Sequence, residues 1–118
     1  MDFRSDAFIR RIAPFRWVEH DDSYSFVLDV GEYLADLFLT REEEGFEGNG
    51  YDWQSLAQVF LDEQFEGEAG GLDFDSEAGM FVMYSEDGDA LADFALAFKE
   101  ACEDEERIAD LFSRAELM

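Results

Sequence analysis

Across residues 15–30 the side chains alternate in the period of a half-buried strand. Phe15 and Trp17 alternate with Arg16 and Val18, and Tyr24, Phe26, Leu28 and Val30 alternate with Ser25, Val27 and Asp29. The polar group His20-Asp21-Asp22-Ser23 between the two runs supplies a turn, so the segment predicts a β-hairpin. Pro14 falls just ahead of it, where a missing N–H does no harm to the ladder. From residue 32 to residue 44 the pattern becomes helical, with Leu34, Leu37 and Phe38 on one side and acids on the other. Gly45, Gly48 and Gly50 interrupt it with a loop. A second helix follows, with Asp52 as its expected N-cap. Its apolar stripe is Trp53, Leu56, Ala57, Phe60 and Leu61, and it ends near Gln64.

Gly67, Gly70 and Gly71 mark another loop. Residues 72–75 and 80–84 predict two further strands around a turn at 76–79. Asp87 or Asp89 caps the next helix, whose buried face is Leu91, Phe94, Ala95, Phe98 and Cys102. A last helix begins near Glu105 and carries Ile108, Leu111, Phe112 and Ala115. The order β-β-α-α-β-β-α-α places hairpins and helix pairs in separate blocks. An α+β fold is expected: an antiparallel sheet of about four strands with helices packed on one face. With 118 residues, one Pro and no linker-like stretch or 20–50-residue repeat, the whole of 1–118 reads as one domain.

Composition changes the picture in one respect. Thirty-one Asp and Glu face eight Lys and Arg, a formal net charge of −23, yet the chain is 47% hydrophobic and 16% aromatic. Acidic chains that stay disordered lack such residues. This one folds, and the charge must lie on its surface. Four of the eight bases, Arg4, Arg10, Arg11 and Arg16, fall in the first 16 residues, so the rest of the chain is more acidic still. That charge argues against nucleic acid or an anionic membrane as a direct ligand and for a basic partner. A lone cysteine, the absence of a signal-like apolar run near residue 1 and the lack of an apolar stretch of ~18 residues suggest a cytoplasmic protein.

Candidate chemistry is sparse. One histidine, His20, cannot build a multi-His metal site, and no motif supports a Ser-His-Asp arrangement. Cys102 sits on an apolar helix face and reads as an inert core thiol. Asp73, Asp75 and Glu77 suggest a calcium loop, but counting from Asp73 the sixth position is Ala78 rather than Gly and the twelfth is Tyr84 rather than Glu. No phosphate-binding Gly-rich motif is present. Neither an enzymatic activity nor a cofactor or metal is expected. The acidic runs at 42–44, 66–68 and 103–106, together with Asp52, Asp73 and Asp75, are expected to form a negative surface that speeds encounter with a basic partner.

Two segments carry a more specific signal. Gly48-Asn49-Gly50-Tyr51-Asp52-Trp53 leads into the Leu-rich helix, and Phe74-Asp75-Ser76-Glu77-Ala78-Gly79-Met80-Phe81 follows about 20 residues later. This ordered pair resembles the immunity protein 51 family of bacterial polymorphic toxin systems, over roughly residues 15–115. The resemblance includes the terminal helix ending in Ser113-Arg114-Ala115; the family pattern often has Pro where this chain has Ser76. It implies a small cytoplasmic protein, encoded beside a toxin, that binds the toxin domain and catalyses nothing. The recurring residues carried onto Gly48, Asn49, Gly50, Tyr51, Asp52, Trp53, Phe74, Asp75, Glu77, Gly79 and Phe81 are scaffold or interface.

The reading that combines charge and resemblance is stoichiometric occlusion of a toxin with a basic groove, such as a nuclease, by a protein that is a monomer or weak oligomer when free. Glu47, Tyr51, Asp52, Asp73, Asp75 and Glu77 are the contact candidates, with the acids steering and Tyr51 anchoring. The alternatives are an acidic adaptor for some other basic protein and a small-molecule-binding domain built on buried carboxylates.

Overall fold

A computed structural model describes residues 3–65 and 71–117; Gly67, Gly70 and the acidic run at 66–68 lie outside the described residues. Four strands form an antiparallel sheet in the order β1-β2-β4-β3: β1 (Arg16–Glu19), β2 (Tyr24–Asp29), β3 (Asp73–Phe74) and β4 (Met80–Ser85). The expected strands are all present, and the register explains their two faces. Trp17 pairs with Phe26, Phe26 with Met83, Leu28 with Phe81 and Phe74 with Met83, so these side chains share one face. Val18, Ser25, Tyr84 and Asp73 lie in a row on the other, beside the row Arg16, Val27 and Val82.

The helices cover the first face. α3 (Gly50–Gln64) packs on β4, and α4 (Gly88–Cys102) packs on β2 and β4, with α5 (Glu105–Phe112) behind both. The core between sheet and helices is aromatic. Phe15 stacks on Phe26 at 4.5 Å between ring centroids, and Trp53 meets Phe38 at 5.2 Å, Phe15 at 5.7 Å and Tyr33 at 5.9 Å. Such pairs add about 0.5–1.5 kcal/mol each beyond the area they bury. Val27, by contrast, is 5% exposed yet stands outside that cluster, because it belongs to the face that the helices leave open. The Cα radius of gyration, 13.5 Å, is that of a well-packed chain of this length. No helix among the described residues is long and apolar enough to cross a membrane.

The structure differs from the sequence pattern in three places. A helix that the pattern did not predict, α1 (Asp6–Ile12), precedes the sheet. Ser5 caps it by accepting from the Phe8 N–H at 3.2 Å, and Phe8 and Ile12 are buried. The second difference is the expected helix over 32–44, which is only α2 (Ala35–Leu39) followed by a 3₁₀ turn at Glu42–Glu44. Leu34 takes a left-handed φ of 54°, which prevents an earlier start. Arg41 ends the helical path: its guanidinium donates to the Phe112 and Ala115 carbonyls at 2.5 and 2.8 Å and to Glu44, tying this turn to the end of α5. Finally, α3 is capped by Asn49 rather than Asp52. The two helices after β4 are capped by Asp87 and Asp104.

Candidate functional site

The first glycine motif is a closed loop-to-helix element. Asn49 Oδ1 accepts from the Asp52 N–H at 2.9 Å. Asp52 Oδ2 reaches back to accept from the N–H groups of Glu47 (2.7 Å), Gly48 (2.8 Å) and Asn49 (3.4 Å). This is a reciprocal capping box that satisfies donors otherwise orphaned at a helix start. Asp52 is 3% exposed, so its carboxylate works on this loop. Gly48 has a φ of 82° and lies over the Phe38 ring, where any Cβ would be both strained and in contact at 3.5 Å. Trp53, the residue after Asp52, is buried in the aromatic core.

The second motif is a tight hairpin turn. Glu77 and Met80 exchange backbone hydrogen bonds at 2.8 and 3.1 Å, with Ala78 and Gly79 between them. The Asp75 N–H donates to the Val82 carbonyl at 2.9 Å, and the Ser76 hydroxyl accepts from the Val82 N–H at 3.1 Å. The two motifs touch. The Gly50 N–H donates to the Ala78 carbonyl at 2.9 Å, and the start of α3 lies against the turn with no room for a side chain. Gly48, Asn49 and Asp52 thus shape the start of α3, Gly50 fits it against the β3–β4 hairpin, and Trp53 and Phe74 each meet Phe81, at 6.4 and 6.2 Å between ring centroids. Glu47, Tyr51, Asp73, Asp75 and Glu77 remain exposed, Tyr51 at 42%.

A feature that the linear pattern did not single out lies on the open face of the sheet. His20, in the β1–β2 turn, folds over that face and places its Nε2 2.9 Å from the Ser25 hydroxyl. Around them is a depression of about 440 Å³ lined also by Val82, Tyr84, Asp21, Asp22 and Asp75. Tyr84 is 38% exposed. The alternation along 80–85 carried the signal for this face: if Phe81 and Met83 point to the core, Val82 and Tyr84 must point away from it.

Exposed acids lie on both the helical side and the sheet side of the molecule. Six of the eight bases are drawn into pairs: Arg4 with Glu19, Arg11 with Glu100, Arg16 with Asp29, Arg41 with Glu44, Lys99 with Glu103, and Arg114 with Glu63 and Asp110. The Arg114 guanidinium holds the Glu63 and Asp110 carboxyls below the usual carboxylate range, and Arg41 does the same to Glu44. Among the described residues no ion pair involves Asp21, Asp22, Asp73 or Asp75. Cys102 is buried, and burial pushes its thiol far above the normal range, so it is not a nucleophile.

No curated protein and no solved structure matches the chain. A family model does: the model described as immunity protein 51 matches residues 15–117, which contain the whole sheet, both motifs and helices α2 to α5. The interlocked motifs lie within that span, and the chain belongs to the immunity protein 51 family, whose members are immunity proteins against a toxin.

Proposed function

We propose that this chain neutralises a bacterial toxin domain by binding it one to one and covering a basic substrate groove, of the kind a nuclease presents to its polyanionic substrate, without catalysing a reaction. One observation carries the proposal: a member of an immunity family has a net charge of −23, and six of its eight bases are paired with neighbouring acids, so exposed carboxylates dominate its surface. A groove that binds phosphates attracts such a surface, and the field accelerates encounter and disfavours acidic partners. Glu47, Tyr51, Asp73, Asp75 and Glu77 are the exposed motif residues available to it. Asp52 supports them from inside the loop. The protein acts in the cytoplasm of the producing cell as a free monomer that meets the toxin there.

The test is co-expression. The C-terminal domain of the toxin encoded beside this gene is induced in bacteria with and without the chain, and survivors are counted. Survival restored by the chain supports the proposal. Equal killing in both cultures by a demonstrably toxic domain would refute it for that pair.

A further inference from the structure

The uncovered face of the sheet has the chemistry of a socket for a long basic side chain. Its lining joins the apolar Val82 and the half-exposed Tyr84 to the hydrogen-bonded pair Ser25 and His20. Three acidic residues, Asp21, Asp22 and Asp75, line the same depression of about 440 Å³. They come from two separate segments, the β1–β2 turn and the residue following β3, which the sheet order brings to one side. The chain's own bases do not fill the place. Arg16 shares this face but is held by Asp29 at 3.1 Å. A metal ion does not suit it either: no group of carboxylates, His or Cys among the described residues is spaced to hold one. The demand is for an extended cation. An arginine meets it, because its stem packs on an apolar surface, its planar guanidinium stacks on a tyrosine ring, and its donors fork between carboxylates.

We propose that the toxin domain inserts an arginine, or in its place a lysine, into this depression, with the side-chain stem on Val82 and Tyr84 and the charged head between Asp75 and the Asp21–Asp22 pair. The proposal rests on the immunity reading and adds to it the face that binds. Asp73, beside Tyr84 in the register, extends the same acidic edge. The first turn of α3, with Tyr51, is then a neighbouring surface rather than the centre of the contact.

The toxin domain encoded beside this gene is the probe, in catalytically inactivated form, and binding is measured by calorimetry. Asp75→Ala and Tyr84→Thr are compared with Asp36→Ala and Asp93→Ala, exposed acids of the helical side. Each socket variant is expected to weaken binding by about thirtyfold, the loss typical of a central anchor, and each control by less than about twofold. Thermal melts of all four check that folding is intact. Carboxyl-labelling of the unmodified protein gives an independent readout: Asp21, Asp22 and Asp75 should be protected in the complex and Asp36 not. Full-strength binding by both socket variants, or protection of Asp36 without protection of Asp75, would overturn the socket and leave the immunity reading standing. A wild-type protein that does not bind the domain at all would overturn both.

Discussion

A Cβ placed on Gly50 would lie 1.8 Å from the carbonyl oxygen of Glu77, closer than any side-chain carbon can come to a backbone atom. The first turn of α3 is thus pressed onto the β3–β4 hairpin across backbone alone. Gly79, in the same hairpin, has nothing within 4 Å of its would-be Cβ. Gly50→Ala should therefore destabilise the protein by about 3 kcal/mol or more, because the hairpin and helix must separate. Gly79→Ala should change stability by less than about 1 kcal/mol. Urea denaturation of the two variants distinguishes them. Equal effects would mean that the two motifs are not in contact.

Asp52 gives a second expectation. One of its oxygens accepts from three backbone N–H groups, two of them below 3 Å, and the group is buried. Asp52→Ala leaves those donors unpaired and should cost about 2–4 kcal/mol; Asp52→Asn, which keeps an acceptor, should cost less. Chemical denaturation measures both. A neutral effect of Asp52→Ala would show that the 46–49 loop does not depend on the box.

This capping box shows how far the sequence could be read. Asn49 and Asp52 are three residues apart, so either could begin the helix, and the spacing does not say which one turns back. The two motifs were legible as motifs, but their contact is a tertiary fact: nothing local to Gly50 announces a carbonyl from residue 77. The helix expected over 32–44 failed for a similar reason. Its periodicity is genuine, but Arg41 is recruited by the Phe112 and Ala115 carbonyls, some seventy residues away. Helix α1 is legible in principle from Ser5, Phe8 and Ile12, a cap followed by an i, i+4 apolar pair, but two apolar positions make only a weak periodic signal. The strands and the two C-terminal helices were plain because their alternation and caps are local. The open sheet face followed from the same alternation once the core face was known.

Stability should depend on pH through Tyr33 and Glu103. The Tyr33 hydroxyl donates to Glu103 Oε2. Burial first, and this hydrogen bond second, push the phenol well above its ordinary range, while the bond from Tyr33 lowers the Glu103 carboxyl. Above about pH 10 the unfolded chain ionises this tyrosine and the folded chain does not. The Tyr33 contribution is therefore complete below that pH and is lost as pH rises beyond it. The Glu103 contribution has the opposite sense: it is present above the ordinary carboxylate pKa and is lost as pH falls through the lowered folded value. Tyr33→Phe should cost about 1 kcal/mol at pH 7. Its deficit relative to the wild type should shrink above about pH 10, as thermal melts across that range would show. A deficit independent of pH would contradict the assignment.

Salt should act in opposite directions on folding and on binding. With a net charge of −23, screening relieves self-repulsion, so the free protein should melt at a higher temperature in about 0.15 M salt than in about 0.01 M. The association rate with the toxin domain should fall over the same range by about tenfold or more, with a smaller change in dissociation. Stopped-flow binding at the two ionic strengths checks this, and an unchanged association rate would remove charge from the account of encounter.

The central claim is that the chain inhibits by occupying the toxin rather than by altering it. The most direct measurement is a titration of the active toxin domain, held well above the dissociation constant, with increasing amounts of this protein while residual toxin activity is followed. Activity should fall linearly and reach its floor at one chain per toxin domain, and it should return when the complex is dissociated and the toxin recovered. Complete inactivation at a small fraction of an equivalent, or no inhibition of an active domain at several equivalents, would contradict the claim.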